Sequence, residues 1–431
     1  MKLVTIMKNK IEKLFTCMIS LFLISSFSLA SLSMRRTSTI VDDSSFSGLN
    51  LSTQDILWPS NSSEWTEVAP EEQGLDSSKI SEMFEYIEDN SIDIHSIIIV
   101  RNGYLLTYEY LYDYQIYRYI DNSKTYFAGE TLHGQYSTTK SVISILIGIA
   151  LQEGFLDNLN QTLYEFFGDI WEPSFTNSTL KKNITIEQLL TMKSGFGEFD
   201  ITDGDLKIAA DCITFILDEV PLTATPGEEW QYSNEGVDLL SGIIANVTGK
   251  STVEFAKEYL FTPLGISENE YNWLNDSKNF NYGGSGLECT PKVQAKLGIL
   301  SLNNGTWEGA QIVGKDYMID ATKNQIGMMG GESSYGYLWW IMDGSLVGYS
   351  AQGAAGQCIY VIPEYNIVVG FTATLLSEGE DVYGTFLFNY ILQFAEPEGN
   401  QISGFDFTMI VLMIFCTSII ILIKRKKYTK N

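Results

Sequence analysis

A serine and a lysine three positions apart, Ser137 and Lys140, open the apolar run Val142, Ile143, Ile145, Leu146, Ile147 and Ile149. Residues at this spacing share one helix face, so the amine can reach the hydroxyl near the helix start. Such a pair is a nucleophile beside its own base. A free lysine, with a pKa of ~10.4, is charged at neutral pH and accepts no proton. Burial against an apolar helix and a nearby cation or proton relay both depress that value. Each unit of depression corresponds to ~1.4 kcal/mol, a cost that makes sense mainly at an active site. The spacing recurs at Ser178-Thr179-Leu180-Lys181, but that copy runs into Lys182-Asn183 and overlaps the sequon Asn177-Ser178-Thr179, so it reads as a solvated loop.

Two further segments carry chemistry. Trp230-Gln231-Tyr232-Ser233-Asn234-Glu235-Gly236 precedes an apolar helix marked by Val237, Leu239, Leu240, Ile243 and Ile244. On the loop feeding that helix, the Tyr232 phenol can relay a proton between nucleophile, lysine and leaving group, and the Asn234 amide can hold the lysine or a substrate carbonyl. Ala351-Gln352-Gly353-Ala354-Ala355-Gly356-Gln357 precedes the strand-like Cys358-Ile359-Tyr360-Val361-Ile362-Pro363. Small residues there let a substrate backbone lie along an edge strand, and an exposed N–H can face a developing oxyanion. Gln352, Gly353 and Ala354 are therefore substrate-binding candidates beside Asn234.

Other hydrolytic machineries find little support. The chain holds two histidines, His95 and His133, and His133 reads as a surface or supporting residue in the polar approach to Ser137. There is no Gly-x-Ser-x-Gly elbow, no phosphate loop and no His-Glu-x-x-His. The cysteines show no paired spacing, and two histidines cannot supply the imidazoles typical of zinc enzymes. No metal and no cofactor is expected.

With these motifs in order, the chain resembles the serine β-lactamase and penicillin-binding-protein superfamily. It looks closest to the class C-like branch of esterases, D-amino peptidases and nylon-oligomer hydrolases. The resemblance spans residues 65–392 and includes Ile184-Thr185-Ile186-Glu187-Gln188-Leu189-Leu190-Thr191-Met192-Lys193-Ser194-Gly195, Gly284-Ser285-Gly286-Leu287 and Tyr335-Gly336-Tyr337-Leu338-Trp339-Trp340. It implies that Ser137 is acylated, that Lys140 activates it, that Tyr232 is the catalytic tyrosine and that Asn234 supports them. The oxyanion would lie between the backbone N–H groups of Ser137 and Ala354. The family's third motif usually begins with lysine or histidine, whereas Ala351 stands there in this chain, so a substrate carboxylate loses its expected counter-charge. A non-catalytic surface protein binding cell-envelope peptides or glycans is the rival reading.

The elements that must position these residues are legible in outline. Residues 67–90 read as helix, and residues 94–110 as two strands about Arg101-Asn102-Gly103. Helices dominate from Thr138 to Leu302, and strand patterns return at residues 339–341, 358–362 and 367–374. Strands at both ends around a helical middle imply an α+β fold, β-lactamase/transpeptidase-like: an antiparallel sheet flanked by helices, with an all-helical lobe and the active site between the two.

The chain has 431 residues, 45% of them hydrophobic, enough for one large domain with extra ends. A net charge of -26 excludes nucleic acid as a partner. Residues 1–31, with Lys2, Lys8, Lys10 and Lys13 before an apolar stretch, read as a signal peptide or N-terminal anchor, followed by a polar linker at 32–64. The hydrolase domain occupies 65–394 and a second linker 395–404. Residues 405–423 form a transmembrane helix, whose apolar core at 407–423 spans ~26 Å. The tail at 424–431 begins Lys424-Arg425-Lys426-Lys427, which holds it in the cytoplasm and leaves the domain outside. Sequons at Asn50, Asn61, Asn160, Asn177, Asn183, Asn246, Asn275 and Asn304 suit a glycosylated surface protein. Cys212, Cys289 and Cys358 allow at most one internal disulfide. The expected substrate is a small-molecule or peptide ester or amide.

Overall fold

The computed structural model describes residues 65–111, 114–117, 124–127, 131–197, 211–276, 278–326, 334–375 and 382–393, all within the unit Asp55–Asn431. The expected leader, both linkers, the apolar C-terminal run and the basic tail lie outside the described residues. Among the described residues, no helix is long and apolar enough to cross a membrane.

Strands β1 (Ile94–Arg101) and β2 (Tyr104–Tyr110) form the expected hairpin, with Asn102 at φ 53° and Gly103 at φ 81°. Asn-Gly accepts this left-handed pair of dihedrals at low cost. β3 (Ser334–Tyr335), β4 (Trp340–Asp343), β5 (Val347–Gly353), β6 (Gln357–Ile362) and β7 (Ile367–Ala373) come from the other end of the domain. All seven strands join one antiparallel sheet in the order β3-β4-β5-β6-β7-β1-β2. Distant segments thus close a single sheet, as expected.

Helices cover both faces, which is why β1, β6 and β7 are buried along their whole length rather than at alternate residues. On one face Ile97, Ile99, Tyr360, Ile362, Val369 and Phe371 pack with Ile80, Met83 and Ile87 of α1 (Ser77–Asp89) and with Phe386, Leu387 and Ile391. On the other, Ile98, Val100, Ala351, Ile359, Val361 and Val368 meet α2 (Thr138–Gln152) and α5 (Pro291–Leu302). α2 is buried from Thr138 to Ala150 on every side. A helix apolar all round has to sit inside the protein, and α2 separates the sheet from a helical lobe built around α3 (Cys212–Asp218) and α4 (Glu235–Thr248).

Several expectations need correction. The helix-like stretch 67–90 is divided: Glu67 bridges Leu105, a short 3-10 turn covers Pro70–Gln73, and α1 follows after an Asp76 cap that accepts from Ser78 N at 2.8 Å. Ser178–Lys181 is a short helix, not a solvated loop. Its Lys181 is fully buried and donates to the Ile216 and Leu217 carbonyls at 3.1 and 2.7 Å. It satisfies carbonyls at the C-terminal end of α3, where cations are favoured. His133 is not at the surface. It lies in a two-residue strand paired with Cys289, with its ring 5.5 Å from that of His95, and both histidines are buried. Cys212, Cys289 and Cys358 are buried, and among the described residues none of them is joined in a disulfide.

Candidate active site

Ser137 is the N-cap of α2, and the turn that presents it is tied down on three sides. Thr138 Oγ1 donates to the Gln357 carbonyl at 3.3 Å, Thr139 Oγ1 accepts from Leu287 N at 3.1 Å, and Ser141 Oγ donates to the Leu338 carbonyl at 2.6 Å. Tyr136, just before Ser137, is held at φ 46°, a conformation unusual for an aromatic residue and one that over-determined sites sustain.

Lys140 is 1% exposed, and its Nζ lies 2.9 Å from Ser137 Oγ, 2.7 Å from Asn234 Oδ1 and 2.6 Å from the Gly284 carbonyl. A neutral amine has two N–H bonds and one lone pair. Asn234 Oδ1 and the Gly284 carbonyl can only accept, so they take the two N–H bonds and leave the lone pair for the Ser137 hydroxyl. This is the arrangement a general base requires. Burial pushes the amine from 10.5 down to about 7, against the opposing pull of Asp238 and Glu235. The charged form is thus no longer the default near neutral pH.

The Tyr232 side chain hydrogen-bonds that of Ser137; burial raises its phenol to about 12, so it stays protonated. Lys140 Nζ sits 4.8 Å from the Tyr232 ring centroid, and the Trp340 ring stacks on Tyr232 at 6.2 Å and 23°. Trp230 touches both aromatics, and Gln231 N donates to the Met192 carbonyl at 2.8 Å, fixing the loop. Asn234 stands at the N-cap position of α4 but makes no side-chain cap bond, its Oδ1 accepting from Lys140 instead.

β5 brings the third motif to Ser137. A Cβ on Gly353 would fall 2.3 Å from the Gln135 carbonyl and 3.2 Å from Thr138 N, so only glycine lets the strand lie against the start of α2. Ala354 follows, exposed, in a tight turn where Ala355 adopts φ 56°. β4 pairs with Val347–Ser350 of β5 and stops there, so the edge at Ala351–Gly353 is not covered by β4. The Gln352 side chain shares a groove with Trp340, the ring stacked on Tyr232. It projects from the opposite sheet face to Ala351 and Gly353, donates to Ser350 Oγ at 2.9 Å and lines a groove with Met342, Tyr360 and Leu387. The alternation of a strand sends neighbours to opposite faces, so the motif contributes Gly353 and its backbone rather than the glutamine amide. Ala351 is fully buried against the core.

Two contributors have no role assigned from the sequence, Gly284 entering there only as part of a motif and Asp238 not at all. Gly284 supplies the carbonyl on Lys140, and Asp238 accepts from Gly283 N and Gly284 N at 2.7 and 2.9 Å. A signal for Asp238 existed: it is a carboxylate in the apolar run of α4, one turn after Asn234. Among the described residues no cluster of three or more His, Cys, Asp or Glu could hold a metal ion.

Comparisons with known proteins bear on the family and the fold. The family model described as Beta-lactamase matches residues 96–387. The 6-aminohexanoate-dimer hydrolase of Paenarthrobacter ureafaciens is 23% identical over 269 residues, 56% of this chain and 66% of that protein. Protein flp of Staphylococcus aureus is 30% identical over 208 residues, 47% of this chain and 39% of that protein. The chain therefore spans less than two thirds of either relative. Among solved structures, a family VIII carboxylesterase superposes with a TM-score of 0.58 at 15% identity, covering 73% of this chain and 96% of the other, which bears on the fold alone.

Proposed function

The chain belongs to the Beta-lactamase family, and on that premise we propose that it is a serine hydrolase that forms an acyl-enzyme on a neutral ester or amide. The observation that carries this is Lys140 Nζ, buried and 2.9 Å from Ser137 Oγ, with its other two contacts to obligate acceptors. Ser137 passes its proton to Lys140 as Oγ bonds the carbonyl carbon. The oxyanion lies between the amides of Ser137 and Ala354, each such donor lowering the barrier by ~3–4 kcal/mol. On collapse the bond to the leaving group breaks, the leaving atom takes the phenol proton of Tyr232, and the Lys140 ammonium reprotonates Tyr232. Water then attacks the ester by the same route in reverse.

Two features argue for an uncharged acyl group: Ala351 stands where a cation would meet a carboxylate, and the buried acids Asp238 and Glu235 lie close to Lys140. The aromatic wall of Trp230, Tyr232 and Trp340 offers apolar contact instead. A fluorophosphonate probe on the purified domain tests the reading. Mass should appear on Ser137 in the wild type and vanish in Ser137→Ala; labelling at another residue, or none on folded wild type, would overturn it.

The reading includes an extracytoplasmic, membrane-anchored setting, supported by the apolar run at 407–423 with its basic stop and by exposed sequon asparagines such as Asn160 and Asn246. In cells, protease added from outside should remove the domain and leave a short C-terminal fragment in the membrane fraction. A domain recovered intact in the soluble fraction would refute the anchor.

A further inference from the structure

Asp238 is 2% exposed, and Oδ1 alone accepts two consecutive amides, Gly283 N and Gly284 N. The same Gly284 offers its carbonyl to Lys140 Nζ at 2.6 Å. This segment is pressed onto α4 without slack: a Cβ on Gly283 would fall 2.5 Å from the Val237 carbonyl, and one on Gly284 3.1 Å from Asn234 Cβ. The carboxylate therefore fixes how far the Gly284 carbonyl stands from the amine. Other titratable groups around the pair are Glu235 on the same helix, Tyr232 on the loop before it and Cys212 on α3, whose thiol burial keeps protonated. A buried carboxylate costs too much to persist without a role or a compensating partner.

Building on the assignment of Ser137 and Lys140 as nucleophile and base, we propose that Asp238 is the positioning residue of the base: it clamps the Gly283–Gly284 backbone so that the Gly284 carbonyl holds one N–H of Lys140 and the lone pair faces Ser137, and its negative charge sets the pH at which the amine becomes a base. The carbonyl removes one rotational choice from the amine, and Asn234 removes the other. Burial also raises Asp238 to about 7, so the two groups titrate together, and the charge that Asp238 gains as the pH rises acts in the opposite sense to burial of the amine, favouring the ammonium form.

The experiment is the rate of fluorophosphonate acylation of Ser137, read by mass, from pH 5 to 10 in wild type, Asp238→Asn and Asp238→Ala. Asp238→Asn keeps an acceptor oxygen for the two amides and loses the charge. Its acidic limb should move to lower pH by about 0.5 unit or more with the plateau nearly kept. Asp238→Ala removes the clamp, and the plateau should fall by about tenfold or more. A limb unmoved in Asp238→Asn, or a plateau unchanged in Asp238→Ala, overturns the proposal. Should neither variant fold, the wild type decides: the Gly283 and Gly284 amide proton resonances should shift with pH at the midpoint of the acylation limb, and resonances flat across that limb overturn it. Failure of the parent assignment looks different, since the wild type would then carry no mass on Ser137 at any pH.

Discussion

Replacing Lys140 with methionine should alter the pH slope of stability more tellingly than its value at any one pH. The amine titrates at about 7 in the folded protein against an ordinary 10.5, because burial disfavours the ammonium form. Between those values the unfolded chain keeps a proton that the folded chain has released. Raising the pH takes that proton from the unfolded chain and so stabilises the fold; the burial cost is full below about 7 and gone above about 10.5. At about 1.4 kcal/mol per unit, the step from pH 8 to pH 10 gives the wild type about 3 kcal/mol. Methionine carries no such term. It strands the buried Gly284 carbonyl at a cost of about 1–3 kcal/mol, but that cost does not change with pH. Asn234 is exposed, and water can replace its lost partner. Asp238, raised to about 7 by burial, titrates mostly below this window, and any further rise in the variant adds divergence in the same direction. Urea denaturation of both proteins at pH 8, 9 and 10, followed by tryptophan fluorescence, should show the wild type gaining about 3 kcal/mol on the variant. Parallel pH dependences would mean that Lys140 is charged throughout, and the general-base argument would fall with them.

Tyr232→Phe keeps the stack on Trp340 but removes the proton relay, so acylation should slow by about 10²–10³-fold with little change in melting temperature; undiminished acylation would remove Tyr232 from the mechanism. Gly353→Ala should destabilise by about 1–3 kcal/mol and cut acylation by about tenfold or more, because the new methyl meets the Gln135 carbonyl. Gly344→Ala, in open space, is its control, and equal behaviour of the two variants would discredit the close approach of β5 to α2. Burial holds His95 down at about 4 and His133 well below its ordinary range, so the folded protein carries neutral imidazoles that the unfolded chain protonates below 6.5. Stability should therefore fall with pH from 6.5 towards 4 by about 1.4 kcal/mol per unit for each histidine, and His95→Phe should flatten that slope; an identical acid-side slope in wild type and variant would refute it.

The grouping of Ser137, Lys140 and Tyr232 is legible because its constraints are local or nearly so. Ser137 and Lys140 are placed by helical spacing, Tyr232 and Asn234 by the start of the next apolar helix, and the hairpin by Asn102-Gly103. Where expectation failed, the deciding contact lay far along the chain. Ser178 and Lys181 have the same spacing as the active pair, yet Ser178 Oγ accepts from Trp171 Nε1 at 2.8 Å while Lys181 caps α3. Gln352 was grouped with Gly353 by motif, and only the register of β5 between β4 and β6 sends its amide to the other face.

Periodicity and residue type, read along the chain, were enough to identify a hydroxyl beside an amine, an alternating hairpin and a sheet built from both ends of the domain. They could not say that the amine would be dry, since desolvation is imposed by α4, the Gly283–Gly284 backbone and the aromatic wall, none of them near Lys140 in sequence. Nor could they disclose Asp238 as the group behind the Gly284 carbonyl on Lys140: a carboxylate in an apolar helix acquires meaning only from the two amides that the fold lays on it.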